Sequence, residues 1–175
     1  MSRNYTLILG GARSGKSRFA EQLALNSNKA VIYLATGQAH DSEMQARIAH
    51  HQQQRPTDWP LVEEPITLAD ALQTYSTKDN CILVDCLTLW LSNCLCHARA
   101  DCWNEQKAAL LAALEHLPGQ VIFVSNEVGH GIVPLGELSR EFVDESGWLH
   151  QAIAANAERV EFIMAGLALT LKEQS

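Results

Sequence analysis

The sequence predicts a three-layer α/β fold, with a mostly parallel sheet, helices on both faces and an antiparallel hairpin at its C-terminal edge. Three features predict it. Apolar runs are continuous rather than alternating, stretches of helical periodicity separate them, and a glycine-rich loop directly follows the first run.

The first run, YTLILG (residues 5–10), leads through glycines into a helical stretch at about 16–26. AVIYLAT (30–36) reads as the second strand, and a helical pattern at about 41–54 follows it. A helix at about 68–75 precedes the strand CILVDC (81–86), and helices at about 87–97 and 103–116 come next. QVIFVS (120–125) is a further strand, and a helix at about 138–157 separates it from VEFIMA (160–165). Polar or glycine residues bound each run, which is how strands buried on both faces read. The alternation of strand and helix implies a parallel sheet, because parallel neighbours are joined by crossovers. After Gly166 a second short apolar run suggests a tight turn into a final antiparallel edge strand. The long irregular stretch SNEVGHGIVPLGE (125–137) follows a strand, where ligands usually bind in such folds.

A chain of 175 residues suits one domain, 1–175, able to bury roughly 70% of its unfolded surface. Its 47% hydrophobic and 19% charged content excludes an intrinsically disordered chain. The net charge of −7, with no basic stripe, argues against a nucleic-acid or anionic-membrane partner held by phosphate neutralisation. No apolar run approaches about 18 residues and the first is too short for a signal peptide, so a cytoplasmic protein without membrane insertion is expected. Cys81, Cys86, Cys94, Cys96 and Cys102 are odd in number and lack a C-x-x-C pair, and they are expected to be reduced, buried thiols. The spacing of Cys94, Cys96, His97 and Cys102 matches no familiar zinc-ligand pattern.

The stretch GGARSGKS contains G-x-x-x-x-G-K-S, formed by Gly10, Gly11, Ala12, Arg13, Ser14, Gly15, Lys16 and Ser17, between a strand and a helix. A chance match arises about once in a hundred chains of this length, and the strand–loop–helix context lowers that further. Glycines let backbone N–H groups close around phosphate oxygens, and the helix N-terminus adds its positive dipole end. Lys16 then reaches the β and γ phosphates, and the Ser17 hydroxyl suits Mg2+. The strand CILVD delivers Asp85 to the carboxyl end of the sheet as a second Mg2+ ligand, with Glu127 the next carboxylate to consider. No N-K-x-D guanine-reading motif occurs, and no lid helix with clustered arginines stands out.

Adjacent His50 and His51 follow in a polar stretch. At about 100° per residue, Glu43, Arg47, His50 and Gln54 share one polar stripe of a helix, and Met44 and Ile48 face elsewhere. His50 is then the solvent-facing imidazole suited to reaction, and His51 lies nearer the apolar edge. The pattern alone leaves open ordinary surface and boundary histidines.

Together GGARSGKS, RIAHHQQQRPTDW, ILVDCLTLWLSN and NEVGHGIVP resemble the bifunctional adenosylcobinamide kinase and adenosylcobinamide-phosphate guanylyltransferase family of cobalamin assembly. The resemblance covers nearly the whole chain, except about 95–103. It implies a P-loop NTPase-like fold and two reactions: phosphorylation of adenosylcobinamide by ATP or GTP, then GMP transfer from GTP to that phosphate, releasing pyrophosphate. It further implies a covalent guanylyl intermediate on His50 and a nucleotide site lined by Ala35, Thr36 and Gly37. His51, Gln52, Gln53, Gln54 and Glu63 would complete that site around the guanosine, although Glu63 also reads as a solvated charge. Family members resemble trimers with the nucleotide near subunit boundaries. A single-function P-loop kinase and a nucleotide-dependent regulatory module are the alternatives. An apolar shelf for the corrin ring is sought in the loop 128–135 or the helix bearing Trp90, which also reads as core.

Overall fold

The computed structural model describes residues 4–38, 56 and 58–173. The elements are β1 (Tyr5–Gly10), α1 (Lys16–Asn26), β2 (Ala30–Ala35), β3 (Leu61–Glu63), α2 (Leu68–Tyr75), β4 (Asn80–Asp85), α3 (Leu87–Leu95), α4 (Cys102–Ala113), β5 (Gln120–Asn126), α5 (Glu137–Asn156), β6 (Arg159–Met164) and β7 (Leu167–Glu173). The strands form one sheet in the order β3-β2-β4-β5-β1-β6-β7. Every neighbouring pair is parallel except β6 and β7, which are antiparallel.

Successive residues of the central strands feed two cores, which is why these strands lack polar alternation. Leu7, Leu9, Leu34, Ile82, Val84 and Phe123 face one side, where Trp90, Leu110, Leu149 and Ile153 of the helices α3–α5 cover them. Ile8, Tyr33, Leu83, Ile122 and Val124 face the other, with Ala20 and Ala24 of α1 against them. The small alanines let that helix lie close to the sheet. Trp90 is fully buried and its indole N–H donates to Ile66 O at 2.7 Å, so it belongs to the core and offers no shelf to a ligand.

Several boundaries differ from the sequence expectation. β3 was not expected: its three residues are too few to form a recognisable run, and the parallel register of Leu61, Val62 and Glu63 on Tyr33, Leu34 and Ala35 makes them a strand. α3 stops at Leu95 rather than 97, where a bond from His97 N–H to Cys94 O tightens the last turn. α4 runs 102–113, and residues 114–116 leave it through similar short bonds. The helical pattern at 41–54 lies outside the described residues. Four of the five cysteines are buried thiols, but Cys96, just past the end of α3, is exposed. Burial raises the thiol pKa of Cys81 to about 11 and of Cys94 to about 12. No helix among the described residues is long and apolar enough to cross a membrane.

The terminal hairpin turns on Ala165 and Gly166, with φ of 53° and 77°. Positive φ at both central residues is the tight turn whose twist matches a hairpin. The strand it leads into leaves Leu167, Leu169 and Leu171 exposed along one face.

Candidate nucleotide site

The glycine loop starts at the carboxyl end of β1 and closes within five residues into α1. A Cβ on Gly10 would stand 2.5 Å from Ser14 Oγ and 2.6 Å from Ile163 O, so only glycine leaves space for the loop to fold back. Gly15, at φ 96°, turns the chain into the helix. Arg13 also takes a left-handed φ of 56°, a conformation that non-glycine residues adopt rarely and often at ligand sites.

Tertiary bonds hold the loop in place. Gly166 N–H donates to Ser14 O at 2.8 Å, which braces the loop against the hairpin turn, and Glu127 N–H donates to Gly10 O at 3.0 Å. Lys16 Nζ donates to Gly11 O at 3.1 Å across the loop opening. The first turn of α1 has no side-chain cap and no acidic residue. Its positive dipole end and free N–H groups are therefore available to an anion. Ser14 Oγ is buried without a hydrogen-bond partner, as a cradle group that binds a ligand oxygen would be.

Lys16 is 9% exposed. Burial lowers its pKa, and the nearby Cys86 and Asp85 oppose that shift. Burial pushes the Cys86 thiol up to about 11, leaving it uncharged at neutral pH, so Asp85 supplies the counter-charge. Asp85 ends β4, two strands from β1, and its Oδ2 accepts the Tyr33 hydroxyl at 3.0 Å. Lys16 and Asp85 thus share one end of the sheet, as the sequence predicted. Ser17 lies beside Lys16 in the first turn of α1.

The ATG segment, Ala35, Thr36 and Gly37, leaves β2 at the same end. Thr36 is fully buried, and its hydroxyl both donates to Cys86 O at 2.7 Å and accepts from Cys86 N–H at 3.0 Å. The side chain therefore ties the end of β2 to the residue after Asp85 and is committed there rather than to a ligand. Glu63 ends β3 exposed to solvent. Its neighbour Glu64 accepts from Ile66 and Thr67 N–H at 2.9 and 2.7 Å, securing the approach to α2. His50, His51, Gln52, Gln53 and Gln54 lie outside the described residues.

The sequence reading missed several polar groups here. Asn93 donates to Thr36 O at 2.8 Å and Pro65 O at 3.1 Å, and Asn126 to Thr88 Oγ1 at 3.1 Å, pinning strand ends to α3. Ser125 and His150 meet at 2.7 Å from elements 25 residues apart, a pairing with no sequence signal. A cleft of about 350 Å³ opens beside the loop, bordered by residues 11–14, Glu127, His130 and the end of β6.

A strand–glycine loop–helix unit with a buried lysine, and an aspartate at the end of a neighbouring strand, define a P-loop nucleotide-binding protein with an NTPase-like fold. The fold likeness extends to the flagellar accessory protein FlaH of Methanocaldococcus jannaschii, with a TM-score of 0.55 at 14% identity over 99% of this chain and 80% of that one. Residues 6–171 match the family model of cobinamide kinase / cobinamide phosphate guanyltransferase, and the chain belongs to that family of transferases. It is 57% identical to the bifunctional adenosylcobalamin biosynthesis protein CobP of Pseudomonas aeruginosa, over 95% of this chain and 96% of that protein. It is 37% identical to the bifunctional adenosylcobalamin biosynthesis protein CobU of Escherichia coli, over 95% and 98%. The protein is thus a bifunctional kinase and guanylyltransferase of cobalamin biosynthesis.

Proposed function

We propose that both reactions use the single P-loop, with adenosylcobinamide as the first acceptor and its phosphate as the second. The observation that carries this reading is the one buried lysine, Lys16, braced at the mouth of one glycine loop. In the kinase step the loop N–H groups and Lys16 stabilise charge on the β and γ phosphates of ATP or GTP as the γ-phosphoryl group moves to the aminopropanol hydroxyl. In the second step His50 attacks the α-phosphorus of GTP, and the same cradle holds the departing pyrophosphate. The phosphoramidate on His50 is reactive enough to pass GMP to a phosphate monoester, a poor nucleophile, so one hard displacement becomes two easier ones. The product is adenosylcobinamide-GDP.

Mg2+ fits the donor set. The Ser17 hydroxyl and the Asp85 carboxylate are hard oxygen donors, and the Tyr33 bond engages only Oδ2 of Asp85. Ser17 and Asp85 would hold the ion, which would supply positive charge against the charge developing on the phosphates. Ala35 and Gly37 offer backbone to the nucleotide, and His51, Gln52, Gln53, Gln54 and Glu63 close around the guanosine. The loop presenting Ile132 (97% exposed), Val133 (72%) and Leu135 (98%) next to the cleft is the apolar shelf suited to the corrin ring. The leucines of β7 support self-association into the family-type trimer, as an exposed apolar edge strand favours pairing with another chain.

Product analysis tests this reading. The protein is incubated with adenosylcobinamide and each triphosphate, with and without Mg2+, and the phosphate and GDP derivatives are resolved. Phosphate alone in ATP, and the GDP derivative only when GTP and Mg2+ are present, is the expected pattern. Formation of the GDP derivative without Mg2+ would refute the assigned metal chemistry.

A further inference from the structure

The carboxyl end of β5 lies between the phosphate cradle on β1 and Asp85 on β4, because β5 separates those strands. The next residue is Glu127, whose backbone is fixed to the first cradle residue by its bond to Gly10 O, and whose side chain borders the cleft. Its Oε1 accepts the Gly129 N–H at 2.6 Å. Its Oε2 lies 3.8 Å from Nδ1 of His150, beyond hydrogen-bond length. Behind this carboxylate His150 Nε2 and Ser125 Oγ are 2.7 Å apart, and both residues are buried. Burial lowers the His150 pKa against the opposing effect of Glu127, so the ring is neutral at pH 7 and carries one N–H. With the Ser125 hydroxyl donating to Nε2, that N–H sits on Nδ1 facing Glu127. Ser125 has no exposure, which removes it as a nucleophile. Glu127, with 20% of its side-chain surface open against 8% for His150, is the member that a substrate can touch.

We propose that Glu127 is the catalytic base of the kinase step, with His150 and Ser125 as residues that position it. The assignment rests on the two-reaction reading above. The acceptor hydroxyl gives its proton to Glu127 Oε2 as its oxygen forms the bond to the γ-phosphorus. The bond from that phosphorus to the β–γ bridging oxygen breaks, and its electron pair leaves on the nucleoside diphosphate, whose charge Lys16 and the cradle N–H groups hold. The proton then passes from Glu127 to solvent. The second reaction makes no such demand, because its acceptor is a phosphate monoester with a second pKa of about 6, already largely a dianion at pH 7. A base serving the hydroxyl is dispensable there.

The test is Glu127→Gln, close in shape but unable to take the proton, assayed separately on adenosylcobinamide with triphosphate and on ready-made adenosylcobinamide phosphate with GTP. Kinase kcat should fall about 100-fold or more with little change in nucleotide KM, while GMP transfer to the phosphate continues. His150→Leu should lower kinase kcat without raising nucleotide KM, and His150→Gln, which keeps an N–H, should recover part of the loss. Unchanged kinase kcat in Glu127→Gln overturns the assignment. So does an equal loss of both reactions, since a carboxylate that holds the cradle or a metal ion is needed in both. Should Glu127→Gln fail to fold, Glu127→Ala, equally unable to take the proton, decides by the same comparison. A wild-type protein that does not phosphorylate adenosylcobinamide would overturn the two-reaction reading together with this one.

Discussion

Replacing Thr36 by valine removes one oxygen from a fully buried position and almost no volume. That oxygen makes two hydrogen bonds, to the C=O and from the N–H of Cys86. Valine satisfies neither; the Cys86 C=O keeps the Trp90 N–H at 3.2 Å, but the Cys86 N–H, in a residue 5% exposed, is left unpaired and cannot turn to water instead. One buried N–H left unpaired costs about 1–3 kcal/mol and the lost bond to the carbonyl about 1 kcal/mol more, so the expected destabilisation is roughly 2–4 kcal/mol. For a chain of this size each kcal/mol moves the thermal midpoint by about 2–4 °C, which gives a fall of about 4–16 °C. Thr36→Ser keeps the oxygen and should lose far less. Urea denaturation with equal m-values, at one protein concentration, measures the difference without mixing in assembly effects. Because Thr36 N–H also donates to Asp85 O at 3.2 Å, activity should fall with stability. A Thr36→Val protein within about 0.5 kcal/mol of wild type would refute the reasoning, since that is the ordinary scatter of a surface change. A GTP KM that rises with stability unchanged would instead make the Thr36 side chain a ligand contact.

Three other outcomes are expected. Lys16→Ala should lower both reactions, by roughly 100-fold or more each, since each needs charge on the triphosphate tail neutralised; GMP transfer at wild-type rate would separate the two sites. His50→Ala should lose the GMP adduct seen by mass spectrometry after incubation with GTP and Mg2+ while keeping kinase activity, whereas His51→Ala should still accept the label; an adduct persisting in His50→Ala would move the nucleophile elsewhere. Leu169→Lys on the exposed face of β7 should shift the proposed trimer toward monomer in light scattering, and an unchanged mass would remove β7 from the proposed interface.

The legible parts of this molecule are those whose chemistry is contiguous in the chain. The glycine loop needs its strand, its turn and its lysine within a few residues, so GGARSGKS gave away its own geometry, and the buried runs announced the sheet because both faces of it are covered. What stayed hidden depends on partners remote in sequence. β3 exists only through its register on β2, since three residues of the four between Pro60 and Pro65 have no periodicity of their own. The pair Glu63 and Glu64 looks symmetrical on paper, yet one is exposed at a sheet edge and the other is committed to the backbone before α2. Thr36 follows a strand that ends at the cradle end of the sheet, but its hydroxyl faces a backbone 50 residues away.

The same distinction bears on how, as proposed, one cradle would serve two reactions. Charge on a triphosphate tail develops in both, so in the proposed site the groups that meet it, the loop N–H groups and Lys16, are common, and they are its local, contiguous part. The two acceptors differ in the one property that a side chain can exploit. A hydroxyl must lose a proton and a phosphate monoester need not, whereas moving GMP calls for a nucleophile that phosphoryl transfer does without. Groups specific to one step must therefore come from elsewhere in the fold, and the proposals assign them to Glu127 at the end of β5, with the buried His150 behind it, and to His50 in the segment between β2 and β3. Loss of function in opposite halves of the pathway for Glu127→Gln and His50→Ala is the signature of that arrangement, while a change in the shared cradle cannot spare either half.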